Sequence, residues 1–310
     1  MHTPPAFLGI EIGGTKLQLC VSDTAGQLKQ SIRLAVDPAG RAEDIRQQIA
    51  AGILKLNGRE AIAAVGVGFG GPVDWQKGLI RVSHQVAGWS GFPLGSWLHQ
   101  LTGKPVAVEN DANAAALAEA LHGSGKGYER VFYMTIGSGI GGGMVINGKI
   151  YHGRAPGEAE VGHLRLNKRG DTLEFRCSGW AVDKKVAEYI ARQPHSLLAR
   201  LALDRKAPGA TLLQPALQEG DADAQKLVEE ITDDLAFALS HVVHLLHPDV
   251  LIIGGGLSLL QEHLRRPLTE KIPHYLMQAF LPPPPVYMAS LQELVVPIGA
   301  QELAKQLINP

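Results

Sequence analysis

Cysteine is nearly absent. Only Cys20 and Cys177 occur in 310 residues, far apart and without CxxC spacing, which rules out a disulfide framework or a four-cysteine metal site and suits a reducing cytosol. Charge of one sign is missing too: 29 basic residues against 30 acidic ones give a formal net charge of -1, too little to gather nucleic acid or an anionic membrane surface. Small molecules are left as the default partners. No apolar run approaches the ~20 residues that span a bilayer. The start, Met1-His2-Thr3-Pro4-Pro5, has no basic region ahead of an apolar core, so a cytoplasmic chain, neither secreted nor membrane-embedded, is expected. No segment has the composition of a long disordered region, and the proline cluster at 282–285 reads as a rigid surface connection. What is present, 45% hydrophobic and 19% charged residues, is enough for more than one core, and the length favours two domains.

The pattern that organises the chain is a repeat. A strand at Phe7-Leu8-Gly9-Ile10-Glu11-Ile12 breaks at Gly13-Gly14-Thr15 and resumes as Leu17-Gln18-Leu19-Cys20-Val21 before a turn at Asp23-Thr24-Ala25-Gly26. The same grammar returns at 131–150: a strand, Val131-Phe132-Tyr133-Met134-Thr135-Ile136, then Gly137-Ser138-Gly139-Ile140-Gly141-Gly142-Gly143, then Met144-Val145-Ile146 and an Asn147-Gly148 hairpin. Two related α/β halves, each offering a glycine turn to a cleft, are expected. Helical patterns at 43–56, 112–121, 179–192, 222–246 and 301–308, with buried-strand runs at 62–69, 106–109 and 250–253, define an α/β class.

Three glycine clusters are candidates for phosphate or nucleotide. Gly137-Ser138-Gly139-Ile140-Gly141-Gly142 satisfies GxGxxG, but a dinucleotide fingerprint must open a helix and this one runs into a strand. Gly123-Ser124-Gly125-Lys126-Gly127 fails as a P-loop, because Ala120 and Gly127 occupy positions that need glycine and Ser/Thr; it reads as a turn after a helix. Gly13-Gly14-Thr15 and Gly137-Ser138-Gly139 can still bind phosphate, since successive backbone N–H groups form an anion-binding concavity. The plainer reading of either alone is a tight β-turn, and their recurrence at matching places favours the phosphate role. Gly254-Gly255-Gly256 follows a strand where a ligand's flat base can lie against bare backbone, close helix–sheet packing being the alternative.

Glu109-Asn110-Asp111-Ala112-Asn113 sits where a strand gives way to a helix, a position that suits acid–base chemistry, although Asp is also an ordinary N-cap. Gly157-Glu158-Ala159-Glu160-Val161-Gly162-His163 holds two acids and an imidazole. A metal site of ExxH type is disfavoured there, because Pro156, Gly157 and Gly162 oppose the helix it needs. Glu174 is unremarkable by itself.

Together these motifs resemble the ROK family (repressor, open reading frame, kinase), among the sugar kinases folded like actin and hexokinase, over essentially the whole chain. The first phosphate loop of that family is similar to Glu11-Ile12-Gly13-Gly14-Thr15-Lys16, and the second to Thr135-Ile136-Gly137-Ser138-Gly139-Ile140-Gly141-Gly142-Gly143. Gly66 to Asp74, with Gly71 near its centre, resembles its small-domain sugar loop; Asn110-Asp111 its catalytic pair; Glu160 and His163 its hydroxyl ligands; Glu174 its last sugar carboxylate; Gly254-Gly255 its adenosine loop. Three departures accompany the match. Glu11 stands where Asp is commoner, Gln85 where many members have Asn, and the CxCGxxGC zinc run is replaced by the cysteine-free interval 164–173. With thiolates absent, a structural zinc lacks ligands; packing of Leu164, Leu166 and Leu173, with Cys177 as a small hydrophobe, is the expected substitute.

The resemblance implies two actin-like (ribonuclease H-like) domains around a central cleft, a small one from 1–111 plus 298–310 and a larger one from 112–297. It implies an ATP-dependent hexose kinase with Asp111 as general base, Gly71, Asn110, Glu160, His163 and Glu174 on the sugar, and Gly13, Gly14, Thr15, Lys16, Thr135, Gly137, Ser138, Gly139, Gly254 and Gly255 on ATP. Mg²⁺ accompanies ATP, no structural zinc is held, and a homodimer without nucleic-acid or membrane partners is expected. A sugar-sensing repressor of the same family is the rival reading. It needs a DNA-binding segment ahead of the first phosphate strand, which starts at Phe7, and the retained Asp111 and both phosphate loops argue against a silent sugar-binding module.

Overall fold

The computed structural model describes residues 4–37, 39–83, 86–155, 157, 159–205 and 209–308. Gln85 and Glu158, singled out above, lie outside them. The strands are β1 (Ala6–Ile12), β2 (Lys16–Asp23), β3 (Leu28–Ala35), β4 (Ile62–Phe69), β5 (Val73–Asp74), β6 (Leu79–Ile80), β7 (Val106–Asn110), β8 (Arg130–Ile136), β9 (Ile140–Ile146), β10 (Lys149–Ile150), β11 (Val250–Gly254) and β12 (Val286–Met288). The helices are α1 (Ala42–Lys55), α2 (Leu94–Thr102), α3 (Asp111–His122), α4 (Leu173–Cys177), α5 (Gly179–Arg192), α6 (Leu197–Arg205), α7 (Gly209–Gln218), α8 (Ala222–Leu246), α9 (Glu262–Tyr275) and α10 (Val295–Ile308).

Two five-stranded sheets share one strand order, β3-β2-β1-β4-β7 and β10-β9-β8-β11-β12. In the first, β2 is antiparallel to β1 and β3, while β4 is parallel to β1 and β7. In the second, β10 is antiparallel to β9, and β11 is parallel to both β8 and β12. The expected duplication is therefore a duplication of backbone topology. The GxGxxG string is already in β9 from Ile140 onward, and Asn147-Gly148 follows with φ of 51° and 72°, the left-handed pair of a tight hairpin, so a strand stands where a dinucleotide fold needs a helix. The 123–127 segment is a turn after α3, where the Gly125 N–H donates to the Glu119 carbonyl (2.9 Å) and the Lys126 N–H to the Gly123 carbonyl (3.2 Å).

The chain divides into a first unit, Met1–Gly127, Gly143–Ala159 and Leu291–Pro310, and a second, Tyr128–Gly142 and Glu160–Ser290. In the first unit, Ile10, Ile12, Leu17 and Leu19 of the sheet bury against Ile45 and Ile49 of α1 and Leu94 and Leu98 of α2. β4 is an unbroken apolar run because both its faces are covered. Its Gly66 meets α10: a Cβ there would stand 1.7 Å from the Ala300 carbonyl oxygen, so only glycine permits the contact. In the second unit β11 is buried along its whole length, and α8 supplies Leu235, Leu239, Val242 and Val243 to the core. No helix among the described residues is long and apolar enough to cross a membrane.

Candidate active site residues of each unit

In the first unit, β1 and β2 are paired as far as Ile12↔Leu17, so Gly13-Gly14-Thr15 closes the end of the ribbon, and the Gly13 N–H donates to the Lys16 carbonyl at 2.9 Å. The Thr15 side of the turn is exposed. Lys16 Nζ lies 2.9 Å from Glu11 Oε2. Burial pushes the Glu11 carboxyl above its usual range, and the lysine beside it pulls in the opposite direction without cancelling the rise.

The junction of β7 and α3 separates two jobs that one residue type can do. Asn110 is the N-cap: its Oδ1 accepts from the N–H groups of Ala112 (2.8 Å) and Asn113 (3.2 Å), while its Nδ2 donates to the Gly71 carbonyl at 3.2 Å. Asp111 is thereby the first helical residue and not the cap. Its Oδ1 accepts from the Ala112 N–H at 2.8 Å, and a Cβ placed on Gly70 would stand 3.4 Å from its Oδ2. The Gly70 N–H in turn donates to the Ile12 carbonyl at 2.9 Å, which brings Asp111 to the end of β1 where the first glycine turn begins. Gly13, Gly14, Thr15, Lys16, Gly71, Asn110 and Asp111 are thus gathered within the first unit.

Behind this junction lies a cluster that the sequence did not reveal. Glu109, 3% exposed, accepts on Oε1 from the Asn110 N–H (2.9 Å) and from Asn113 Nδ2 (3.1 Å), and its Oε2 lies 2.5 Å from His152 Nε2. Trp75 stacks on the His152 ring at 4.1 Å and 16°. Glu109 was visible only as an acid at a sheet edge, and His152 carried no local signal at all.

In the second unit the turn after β8 is held from outside. The Gly137 N–H donates to the Gly139 carbonyl (2.9 Å), the Gly179 N–H donates to the Gly137 carbonyl (2.7 Å), and the Ile140 N–H donates to Glu174 Oε2 (2.7 Å). A Cβ on Gly139 would stand 2.5 Å from that same oxygen, so the carboxylate occupies the space a side chain would need. Ser138 is exposed at the tip, as Thr15 is in the first unit. Thr172 caps α4 by accepting from the Phe175 N–H at 3.3 Å, which sets Glu174 in the first turn of the helix. The short turn Val161–His163 packs on the same strand start, since a Cβ on Gly162 would stand 2.3 Å from the Ile140 carbonyl oxygen. Glu160 Oε2 and His163 Nε2 are 3.9 Å apart, with side chains 45% and 70% exposed. Thr135 and Gly254 are register partners on β8 and β11, and Gly255 follows with a φ of 80°, a conformation that favours glycine.

The interval that lacks the zinc cysteines is closed mainly by hydrogen bonds. Leu166 N–H donates to the Asp171 carbonyl (2.8 Å) and Leu173 N–H to the Leu164 carbonyl (2.9 Å). Asn167 Oδ1 accepts from the N–H groups of Arg169 (2.8 Å) and Gly170 (3.2 Å), and its Nδ2 donates to Asp171 Oδ2 at 2.8 Å. Leu173 and Cys177 are buried, whereas Leu164 and Leu166 are only half-buried. Cys177 Sγ lies 3.7 Å from the Ile231 carbonyl oxygen, and burial pushes its thiol up to about 12.

Paired sheets of one topology, each with a glycine turn after its first strand, define the actin-like α/β class. The model of the ROK family matches residues 7–307. A glucokinase of Thermotoga maritima is 33% identical over 98% of this chain and 98% of its own length. An N-acetyl-D-glucosamine kinase of Histophilus somni is 29% identical over 88% of this chain and 90% of its own. The crystal structure of a ROK family glucokinase from Streptomyces griseus, in complex with glucose and AMPPNP, is 30% identical with a TM-score of 0.84, covering 97% of this chain and 99% of that one. This chain belongs to the ROK family.

Proposed function

We propose that the chain is a sugar kinase that transfers the γ-phosphoryl group of ATP to a hexose hydroxyl, with Asp111 as general base. The observation that carries the reading is the place of Asp111: in the first turn of α3, next to the Asn110 cap, with its Oδ2 beside Gly70 and so near the end of β1 where the first glycine turn begins. Sugar phosphorylation is the activity named for the glucokinase and N-acetyl-D-glucosamine kinase relatives, and the AMPPNP complex of the S. griseus protein supports ATP as donor.

Phosphoryl transfer asks a protein for an in-line acceptor, neutralised phosphate charge and exclusion of water. The acceptor hydroxyl oxygen forms the new bond to the γ-phosphorus, the bond to the β–γ bridging oxygen breaks, ADP leaves, and the hydroxyl proton passes to Asp111. The second hydrogen on Asn110 Nδ2, beyond the one given to Gly71, suits a sugar oxygen. Glu160 and His163 present exposed polar side chains for other hydroxyls, and Glu174, like the turn that carries them, meets Ile140. The backbone N–H groups around Gly14-Thr15 and Ser138-Gly139 suit phosphate oxygens, and Gly254-Gly255 suits the adenosine. Among the described residues no three His, Cys, Asp or Glu side chains are grouped to hold a metal. Mg²⁺ bound to ATP by phosphate oxygens and water requires no such cage and would supply charge neutralisation.

Glucose is the first candidate and an N-acetylhexosamine the second. A cytoplasmic homodimer completes the reading, and sedimentation checks its oligomeric part. The direct test is ADP release from ATP over a panel of hexoses and N-acetylhexosamines. Sugar-dependent release is expected with at least one of them, and release that no sugar stimulates would overturn the proposal.

A further inference from the structure

We infer that Glu109 and His152 form a positioning pair, which fixes the Asn110-Asp111 junction and ties it to the chain at His152 and Gly157. The inference rests on the kinase reading above.

A carboxylate at 3% exposure is costly unless its lone pairs are filled. Glu109 fills them with three donors, each from a different part of the machinery. The Asn110 N–H (2.9 Å) belongs to the residue that caps α3 and precedes the base. Asn113 Nδ2 (3.1 Å) belongs to the first turn of α3, and the same amide nitrogen lies 3.5 Å from the Gly157 carbonyl oxygen. His152 Nε2 (2.5 Å) belongs to the segment after β10. A carboxylate can only accept, so the imidazole donates.

The far side of His152 is fixed as well. Trp75 stacks on its ring, and Gly157, at φ 83°, turns back on it so closely that a Cβ would stand 2.9 Å from the His152 carbonyl oxygen. His152 and Gly157 are therefore both held against the start of α3, the first by a carboxylate and the second by an amide. Removing the imidazole donor leaves Glu109 Oε2 buried without a partner, and the carboxylate can then regain a donor only by shifting, which drags the Asn110 N–H with it. Asn110 Oδ1 and Nδ2 hold the helix start and the Gly71 carbonyl, so that shift reaches Asp111 directly. A misplacement near 1 Å at a reacting group costs about 10²-fold in rate.

His152→Phe keeps a ring for Trp75 but has no donor; His152→Gln keeps an N–H at nearly the place of Nε2. With the parent phosphorylating its sugar, His152→Phe is expected to lose about tenfold or more in kcat while KM for ATP changes less than about twofold, and His152→Gln to recover most of the loss. Equal kcat in the two variants overturns the inference while leaving the functional reading intact. A merely structural role would lower the melting temperature without this split. Should His152→Phe be unfolded, His152→Ala with and without added imidazole gives the same contrast: recovered turnover supports the pair, and no recovery overturns it. Amide hydrogen exchange over 106–117 reads the junction without turnover. Faster exchange in His152→Phe than in His152→Gln is expected, and equal exchange overturns the inference even for a parent that phosphorylates no sugar tested.

Discussion

The two glycine turns follow equivalent strands and both expose a hydroxyl at the tip, Thr15 in one and Ser138 in the other, yet they are held in opposite ways. The first is secured from within its own sheet, through the Lys16–Glu11 ion pair, the Gly13 hydrogen bond to Lys16 and the Val36 N–H that donates to the Thr15 carbonyl at 3.0 Å. The second is secured by residues far along the chain, Glu174 at its exit and Gly179 at its entrance. A turn braced by its own sheet does not draw its support from helices proposed to bind sugar. A turn braced from α4 and α5 shares its support with the residues proposed to hold sugar, so disturbing one should disturb the other.

The largest effect is expected on the first unit, at the proposed base. Asp111→Asn should lower kcat by at least ~10²-fold with sugar affinity retained, because proton acceptance is lost while Asn110 still caps the helix. Steady-state kinetics with an equilibrium sugar titration checks it, and near-normal kcat refutes the assignment. Glu174→Ala should raise KM for sugar about tenfold or more and, because the Ile140 N–H loses its acceptor, also raise KM for ATP a few-fold. Glu174→Gln retains an amide oxygen for Ile140 and should restore the ATP value alone. If Glu174→Ala leaves KM for ATP untouched, the two turns are not differently braced in any way that matters.

Lys16→Met sharpens the comparison from the other side. Glu11 and Lys16 are 13% and 23% exposed, so leaving the acid buried without its partner should cost about 1–2 kcal/mol at neutral pH. Burial already raises the folded-state pKa of Glu11 above its ordinary 4.5, and loss of Lys16 raises it further. The protonated acid needs no cation, so the deficit is full above the folded-state pKa and fades as pH falls through it toward 4.5. Urea unfolding of parent and variant at neutral and acid pH reads this, and a deficit that grows in acid contradicts it. The smallest effect is expected from a zinc-selective chelator. The 164–173 interval is closed by Asn167 and backbone hydrogen bonds, and the melting temperature should not move; a fall accompanied by release of zinc would show a bound metal.

Much of this molecule can be read from its sequence. β4 covers the 62–69 run, and α5 and α8 occupy 179–192 and 222–246 as their periodicity predicts. The failures have local causes. α10 begins at Val295, not at 301, because Pro297 and Gly299 look like breakers. Pro297 sits in the first turn, where a missing N–H costs nothing, and Gly299 lies against Ala114 of α3, where a Cβ would stand 1.8 Å from the carbonyl oxygen. β3 is an edge strand with only alternate residues half-buried, so its apolar signal is faint. At the site, glycine and carboxylate motifs announce themselves by local spacing. The Glu109–His152 contact joins residues 43 apart and leaves no such mark, and neither does the choice of Asn110 over Asp111 as the cap.

The two cysteines have a practical consequence. Cys20 and Cys177 are both buried, and burial pushes both thiols above their ordinary range. An accessible thiolate is the nucleophile that attacks a maleimide, so burial makes both native sulfurs poor competitors for the dye. The chain is a blank background for labelling: one new surface cysteine on each unit would carry a donor and an acceptor fluorophore, and energy transfer between them could follow the enzyme through its cycle with both native cysteines in place.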